Sequence, residues 1–285
     1  MIIVSIRTDL AVEAHELARR EVSEIDGVSA VTTERGTITK TVVDIINDRG
    51  AEALGKAKGR YITIEAPELK YSLDDYETVC KMIADELESF VPKNGTTLVV
   101  GLGNRDITPD AIGTRAVSEL IITSHLKDRM PEALGHGFGS VAAIAPGVLG
   151  TTGIETARII KGIAETIKPD MIIAVDALAG ADIRRVCTTV QIADTGISPG
   201  SGVGNCREGL NEETLGVKVI AVGVPTVIAA ELLAGGELPE EFSGLMVTTK
   251  DIDLVIRRMS KTVANGINLA LHKDLTFRDI ESIVD

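Results

Sequence analysis

Two aspartates lie in matching settings and are the residues best suited to chemistry. Asp176 follows the apolar run Met171 to Val175, which predicts a buried strand. Asp110 follows a second short apolar strand, Thr97 to Val100, and the turn after it. Ligands of open α/β sheets bind at the carboxyl ends of strands, so the two carboxylates are expected to converge at one edge of the sheet. Converging carboxylates do not both ionise readily, so their pKa values separate and the pair offers a base and an acid.

The same two aspartates also have a simpler interpretation. Thr108 suits the N-cap of a helix and Pro109 suits its first position, which places Asp110 in a first turn where the helix dipole favours an anion. Asp176 is then an ordinary loop aspartate. Their spacing alone leaves both interpretations open.

A glycine-rich loop follows a further predicted strand, Cys187 to Ala193. Such a loop lets backbone approach backbone, or a bound peptide, closely. Gln191 and Asp194 lie beside it and are predicted to organise it by hydrogen bonds, with a substrate-facing role as a further option. The glycines of the loop are Gly196, Gly200, Gly202 and Gly204.

Several familiar motifs are incomplete. The turn Gly101 to Asn104 is not a dinucleotide fingerprint, because Asp106 stands where the third glycine belongs. The G-x-S-x-G match at 196–200 fails because Pro199 has no N–H for an oxyanion hole.

The four histidines lie far apart with no H-E-x-x-H, which argues against a zinc protease. Cys187 and Cys206 remain alternative nucleophiles, although structural thiols are commoner.

Composition indicates an α/β protein inside the cell. The chain has 285 residues, 44% of them hydrophobic and mainly aliphatic, which suits buried strands covered by helices. A net charge of -13 argues against direct nucleic-acid binding. The apolar start, Met1 to Ile6, is too short for a signal peptide or a membrane span. The widely spaced cysteines indicate reduced thiols in a cytosolic compartment.

Hydrophobic periodicity predicts alternating strands and helices, and from 97 to 233 the alternation predicts a doubly wound sheet. Helices are expected at Leu10–Val22 after a Thr8-Asp9 cap, Leu73–Val91, Ile154–Ile167, Pro225–Leu233 and Asp251–Leu271. Strands are expected at Gly36–Ile46, Arg60–Ala66, Thr97–Val100, Ser140–Ala145, Met171–Val175, Cys187–Ala193 and Gly216–Gly223.

Several segments together resemble the germination protease family of spore-forming bacteria. They spread over most of the chain, and it is their combination that is specific. The matching runs are Arg7 to Ala11, YITIEAPEL at 61–69, VVGLGN at 99–104, Thr108-Pro109-Asp110, AIAPGVLGTTGIET at 143–156, AVDALAG at 174–180, TTVQIADTGISPGSGVGN at 188–205 and VIAVGVPTVI at 219–228.

The resemblance implies a mixed, largely parallel α/β sheet with helices on both faces, related to the hydrogenase-maturation protease (phosphorylase/hydrolase-like) fold. It implies an endopeptidase that begins the degradation of small acid-soluble spore proteins during germination, in the cytoplasm of the forespore or spore core. It further implies a zymogen that processes itself, no obligatory cofactor or metal, no membrane partner, and assembly as a homo-tetramer.

The resemblance also implies roles for particular residues. The family's catalytic aspartates fall on Asp110 and Asp176, and its self-cleavage motif falls on Thr8 to Ala11, with Asp9–Leu10 as the cleaved bond. Residues 1–9 are then a short propeptide and residues 10–285 a single peptidase domain. The expected mechanism is aspartic-type: one ionised carboxylate activates water, and the other, protonated, polarises the carbonyl or protonates the leaving amine. Because the pair titrates as a unit, the sequence does not assign the two roles.

Other groups are expected to assist. Backbone N–H groups of the 101–104 turn or of the 200–204 loop are candidates for an oxyanion site. An acidic side chain before the cut needs a cationic pocket, for which arginines are the candidates. The assisting residues are Gly101, Gly103, Asn104, Gly202, Gly204, Arg105, Arg184 and Arg185. Two alternatives remain: a metal-dependent maturation-type protease that uses the same carboxylates, and a non-catalytic peptide-binding α/β protein.

Overall fold

The computed structural model describes residues 8–20, 22–93, 95–127, 137–200, 207–235, 239, 242 and 244–284. In this part of the chain the strands are β1 (Val28–Arg35), β2 (Ile38–Ile45), β3 (Gly59–Glu65), β4 (Thr96–Gly101), β5 (Ser140–Ile144), β6 (Met171–Gly180), β7 (Thr189–Ala193), β8 (Val219–Ala229) and β9 (Met246–Val247). The helices are α1 (Ala11–Ala18), α2 (Asp48–Leu54), α3 (Tyr76–Glu88), α4 (Ile112–Ser118), α5 (Ser124–Lys127), α6 (Leu149–Thr152), α7 (Thr156–Ile167), α8 (Glu212–Leu215), α9 (Ala230–Leu233), α10 (Ile252–Leu271) and α11 (Phe277–Val284).

All described strands join one mixed sheet. Their order is β1-β2-β3-β7-β8-β6-β4-β5, and β9 pairs with β8. Strands β8, β6, β4 and β5 run parallel, and the other pairs are antiparallel. The parallel half contains the near-continuous apolar strands β4 and β6, as expected for strands buried on both faces. The predicted mixed α/β fold is confirmed.

Helices cover both faces of this sheet, as predicted. Alternate residues of a strand point to opposite faces, so β6 contributes to two separate cores. Ile173 and Val175 pack in the core formed with α3, α4 and α10. Ile172 and Ala174 pack with α7 on the other face, which we call the α7 face. By the same alternation Asp176 points to the α7 face.

Two predicted helices differ from the observed ones. The segment from Pro225 was expected to be helical, but β8 continues to Ala229 beside β6, and only Ala230–Leu233 forms a helix. The first helix is shorter than predicted and spans Ala11–Ala18, with Leu10 at its N-cap position and no side-chain cap. The exposed edge strand β1 was not predicted at all, because its residues lack a buried face.

None of the helices in the described part of the chain combines the length and the apolar character that crossing a bilayer requires.

Candidate active site

Asp176 lies inside β6 and not at its end, which corrects the prediction. The strand continues to Gly180 because β8 pairs with it that far. The parallel neighbour β4 ends earlier, with Gly101 paired to Val175. Asp176 is therefore the first residue of β6 beyond the end of β4, and it still faces the crevice at the carboxyl edge of that strand.

Asp110 lies in the 3-10 turn Thr108–Asp110 that follows β4. Thr108 is not the cap of this turn, since its hydroxyl donates to Asp253 over 2.9 Å. The carboxylate of Asp110 instead accepts the backbone N–H of Asn104 over 2.7 Å. This fold-back depends on Gly103, which has φ +95°, and a Cβ there would clash with the carbonyl oxygen of Asp110.

The two carboxyl groups influence each other. Burial raises the pKa of Asp176 well above the usual value, and the charge of Asp110 raises it further. Burial also raises the pKa of Asp110. The hydrogen bond from the N–H of Asn104 and the charge of Arg207 lower that pKa and so oppose the shift. Asp176 is only 5% exposed, so it is the carboxyl that holds a proton more strongly. The arrangement can therefore keep one proton on the pair.

The N-terminal segment lies against the same part of β6. The N–H of Asp9 donates to the carbonyl of Ala179 over 2.9 Å, and the N–H of Ala179 donates back to the Asp9 carboxylate over 2.9 Å. Leu10 is fully buried and packs with Leu178. Leu178 projects from the same face as Asp176, and the charge of Asp9 contributes to the raised pKa of Asp176. The backbone of Asp9 thus pairs with β6 three residues along the strand from Asp176.

Gln191 holds this segment from the opposite side. Its Oε1 accepts the N–H of Ala11 over 2.7 Å, and its Nε2 donates to the carbonyl oxygen of Asp9 over 3.1 Å. We expected Gln191 and Asp194 to organise the glycine-rich loop. Among the described residues their contacts lie elsewhere, with Asp194 accepting the N–H of Arg60.

Lys56, a cation that the sequence analysis missed, lies close enough to Asp9 for the charge of that carboxylate to act on it. The ammonium of Lys56 donates to the carbonyl of Thr8 over 2.8 Å. Burial lowers the pKa of Lys56, and the negative charges of Asp9 and Glu13 oppose that shift. Lys56 lies in a polar segment without a motif, so no local signal marks it. Arg207 was also missed, although an arginine directly after the glycine-rich loop was a usable signal.

The arginines proposed for that pocket are engaged elsewhere. Arg184 is 85% exposed and pairs with Asp182 over 2.5 Å. Arg185 is 10% exposed and ties α1 to β3. It donates to Glu16 over 2.6 and 2.7 Å and to Glu65 over 2.9 Å. Arg105 is exposed.

These contacts predict that the two neighbouring arginines differ in effect. Arg185→Met is expected to destabilise the fold by about 3 kcal/mol, because it removes the cation from the buried carboxylate of Glu13 and the half-buried carboxylate of Glu65. Arg184→Ala, which removes an exposed ion pair, is the matched control and is expected to leave the stability almost unchanged. Urea unfolding of the two variants measures the difference. Equal stabilities would show that the Arg185 cluster does not hold α1 in place.

Two backbone N–H groups of the 101–104 turn, which was predicted to supply oxyanion donors, have structural partners. The N–H of Leu102 donates to the carbonyl of Val175 over 2.8 Å, and that of Asn104 holds Asp110. Gly101 and Gly103 bring this turn close to Asp110 and α4. Gly202 and Gly204 lie outside the described residues.

The alternative nucleophile that can be located is poorly suited to attack. Cys187 is fully buried, and burial raises the pKa of its thiol to about 12, so the thiol stays protonated at neutral pH. Cys206 lies outside the described residues. Within the described ranges, no group of three or more His, Cys, Asp and Glu side chains is placed to hold a metal ion.

Comparison with known proteins gives consistent matches. The family model of germination protease matches residues 6–237 of the chain. The germination protease of Caldanaerobacter subterraneus subsp. tengcongensis is 43% identical over 100% of this chain and 99% of its own. That of Clostridium acetobutylicum is 42% identical over 99% of both chains, and that of Priestia megaterium is 37% identical over 95% of both. Among solved structures, the NiFe hydrogenase maturation protease HycI of Thermococcus kodakarensis matches with TM-score 0.39 and 18% identity, over 65% of this chain and 98% of its own.

Proposed function

The chain belongs to the germination protease family, and on that premise we propose that it is an endopeptidase of small acid-soluble spore proteins. We propose an aspartic-type mechanism for it, with Asp110 and Asp176 as the catalytic pair. The observation that carries this proposal is that the charge of Asp110 acts on the buried carboxyl of Asp176, which lies in the strand that pairs with the chain's own Asp9. Support for the pair's chemistry comes from its burial and from the effect of one carboxyl on the other's pKa.

The proposed reaction uses one proton on the pair. The ionised carboxylate takes a proton from a water molecule, and the oxygen of that water attacks the carbonyl carbon of the residue before the cut. The protonated carboxyl gives its proton to the leaving nitrogen, and the C–N bond breaks. The products are a new carboxyl terminus and a new amino terminus, and the pair again carries one proton. The higher pKa of Asp176 favours it as the acid and Asp110 as the base.

The same chemistry accounts for self-processing. Residues 1–9 are the proposed propeptide, removed by cleavage of Asp9–Leu10, and residues 10–285 are the proposed peptidase domain. Asp9 already exchanges two hydrogen bonds with Ala179 of β6, and Leu10 packs beside it against Leu178. Family membership further leads us to propose assembly as a homo-tetramer and action in the cytoplasm of the forespore or spore core.

The protonation states predict how self-processing depends on pH. Raising the pH through the upper apparent pKa of the pair removes the shared proton, so the rate is expected to fall there. Because burial raises the pKa of Asp176, this fall in rate is expected well above about pH 3.9, the usual pKa of an aspartate. Lowering the pH far enough protonates the base, so the rate falls again at low pH. The loss of residues 1–9 can be followed over time by intact mass. Repeating the measurement at a series of pH values gives the rate of self-processing as a function of pH.

A chelator added at the optimum is the control for this profile and is expected to leave the rate unchanged. A rate that depends on added divalent metal, or one that rises steadily through neutral and alkaline pH, would contradict the shared-proton mechanism.

A further inference from the structure

The side chain of Gln191 spans the peptide bond that we propose is cleaved. It accepts the N–H of Ala11, two residues after Asp9, and donates to the carbonyl oxygen of Asp9 itself. Gln191 is 7% exposed, so both hydrogen bonds are shielded from water. A buried amide with both of its polar atoms on one peptide segment fixes the position of that segment.

The sheet register explains how Gln191 and Asp176 come to act on the same segment. Gln191 of β7 pairs with Gly223 of β8, and Gly223 pairs with Asp176 of β6. Residues paired directly in this way project from the same face, so both side chains point to the α7 face. They are two strand spacings apart, about 10 Å between backbones. Gly223 between them carries no side chain, and Leu178 packs over it.

We propose that Gln191 is a further catalytic residue, whose Nε2 amide stabilises the oxyanion that forms on the carbonyl oxygen of Asp9. The inference rests on the proposed function, with Asp9–Leu10 as the cleaved bond. The carbonyl oxygen gains negative charge when water attacks, and an N–H already in place on that oxygen stabilises the charge without reorganisation. The Oε1 atom meanwhile fixes the chain after the cut through Ala11.

In this arrangement Gln191 and the two aspartates have different roles. Two of the expected oxyanion donors, the N–H groups of Leu102 and Asn104, already have partners, in β6 and in Asp110. With Gln191 on the carbonyl oxygen, the proton of the aspartate pair is free to go to the leaving nitrogen of Leu10. One side chain thus polarises the carbonyl while the pair moves protons.

Two substitutions separate the donor from the acceptor. Gln191→Met removes both hydrogen bonds at similar volume, whereas Gln191→Glu keeps an acceptor for the N–H of Ala11 and, when ionised, offers no donor to Asp9. Each is expected to slow self-processing by about 10²- to 10³-fold, as for loss of one oxyanion donor. Thr63→Val is the matched control, because Thr63 pairs with Gln191 across β3 and β7 and its buried hydroxyl has no partner. It is expected to process at the rate of the unsubstituted chain.

A second measurement tests the contact without requiring cleavage. Gln191 is the only glutamine of the chain, so selective ¹⁵N-glutamine labelling gives one side-chain amide signal pair. One of its two protons is expected to exchange slowly with solvent in the unprocessed Asp176→Asn variant. Both protons exchanging as in a free glutamine side chain would overturn the inference.

The kinetic outcomes distinguish this inference from the proposed function. Slow processing of both Gln191 variants supports it. Slow processing of Gln191→Met alone would overturn it, since only the Ala11 contact would then matter. Rapid processing of Asp176→Asn would instead contradict the proposed aspartic mechanism. The rates of the two Gln191 variants would still test whether Gln191 stabilises the oxyanion.

Discussion

Asp176→Asn is expected to leave residues 1–9 attached after conditions that remove them from the unsubstituted chain. The amide cannot exchange a proton with Asp110, so the pair loses its acid, and loss of general acid–base catalysis slows a reaction by about 10²- to 10⁴-fold. Asp110→Asn is expected to have the same effect, because each step needs both carboxyl groups. Intact mass measured over time, for each variant and for the unsubstituted chain, checks both expectations.

The fold is expected to survive this substitution. The backbone N–H of Ala177 donates to Asp176 over 2.9 Å, and an asparagine oxygen accepts it equally well. A carboxyl whose pKa is raised by folding destabilises the folded protein at neutral pH, because folding then buries a group that is ionised in the unfolded chain. Asp176→Asn is therefore expected to raise the melting temperature at neutral pH, and the gain should vanish below the unfolded pKa of about 3.9.

Asp170→Asn is the matched control. Asp170 precedes β6 at the opposite edge of the sheet, and its carboxylate accepts the N–H of Thr96 over 2.7 Å. Asparagine retains an acceptor there, so self-processing should continue at the usual rate. Persistent cleavage in both Asp110→Asn and Asp176→Asn would rule out the aspartic mechanism and direct attention to Cys206 or a metal.

Gly113→Ala is expected to destabilise the protein and to stop cleavage. A Cβ at Gly113 would clash with the carbonyl oxygen of Val175 and lie 2.5 Å from the nitrogen of Leu102. These are the two atoms whose hydrogen bond joins the end of β4 to β6. Forcing α4 away from this contact is expected to cost about 3 kcal/mol and to displace both Asp110 and Asp176.

Gly162→Ala makes the same glycine-to-alanine change in another helix, but it is expected to stabilise the protein. Gly162 is exposed in α7, and nothing lies within 4 Å of an added Cβ. Alanine there should stabilise the protein by about 1 kcal/mol, through helix propensity alone. Denaturant unfolding of the two variants measures both effects. A tolerated Gly113→Ala would mean that α4 and β6 are not packed as closely as the structure shows.

The bound position of the N-terminal segment has a consequence for added substrates. Leu10 is fully buried against Leu178 beside the aspartate pair, and Arg185 holds α1 through Glu16. A spore protein that reaches the pair in the same arrangement must occupy the place that Leu10 fills. The start of α1 therefore has to move before another peptide can take its position.

The sequence by itself determined the parts of this protein that depend on local pattern. Apolar runs located β4 and β6, because strands buried on both faces need continuous aliphatic residues. The combined motifs indicated the family that the comparisons confirm. Local pattern failed where a neighbour extended an element: β6 runs past Asp176, and β8 runs past Pro225, because the two strands pair with each other.

Only the tertiary structure decided which side chains meet at the candidate site. Gln191 contacts Asp9 across 182 positions of sequence, and Arg185 contacts Glu16 across 169. Lys56 reaches Thr8 across 48 positions, from a segment with no motif. Such contacts depend on strand order and register, which bring distant residues to one face. A one-residue shift in register would turn Gln191 to the other face, and a local sequence pattern does not carry that information.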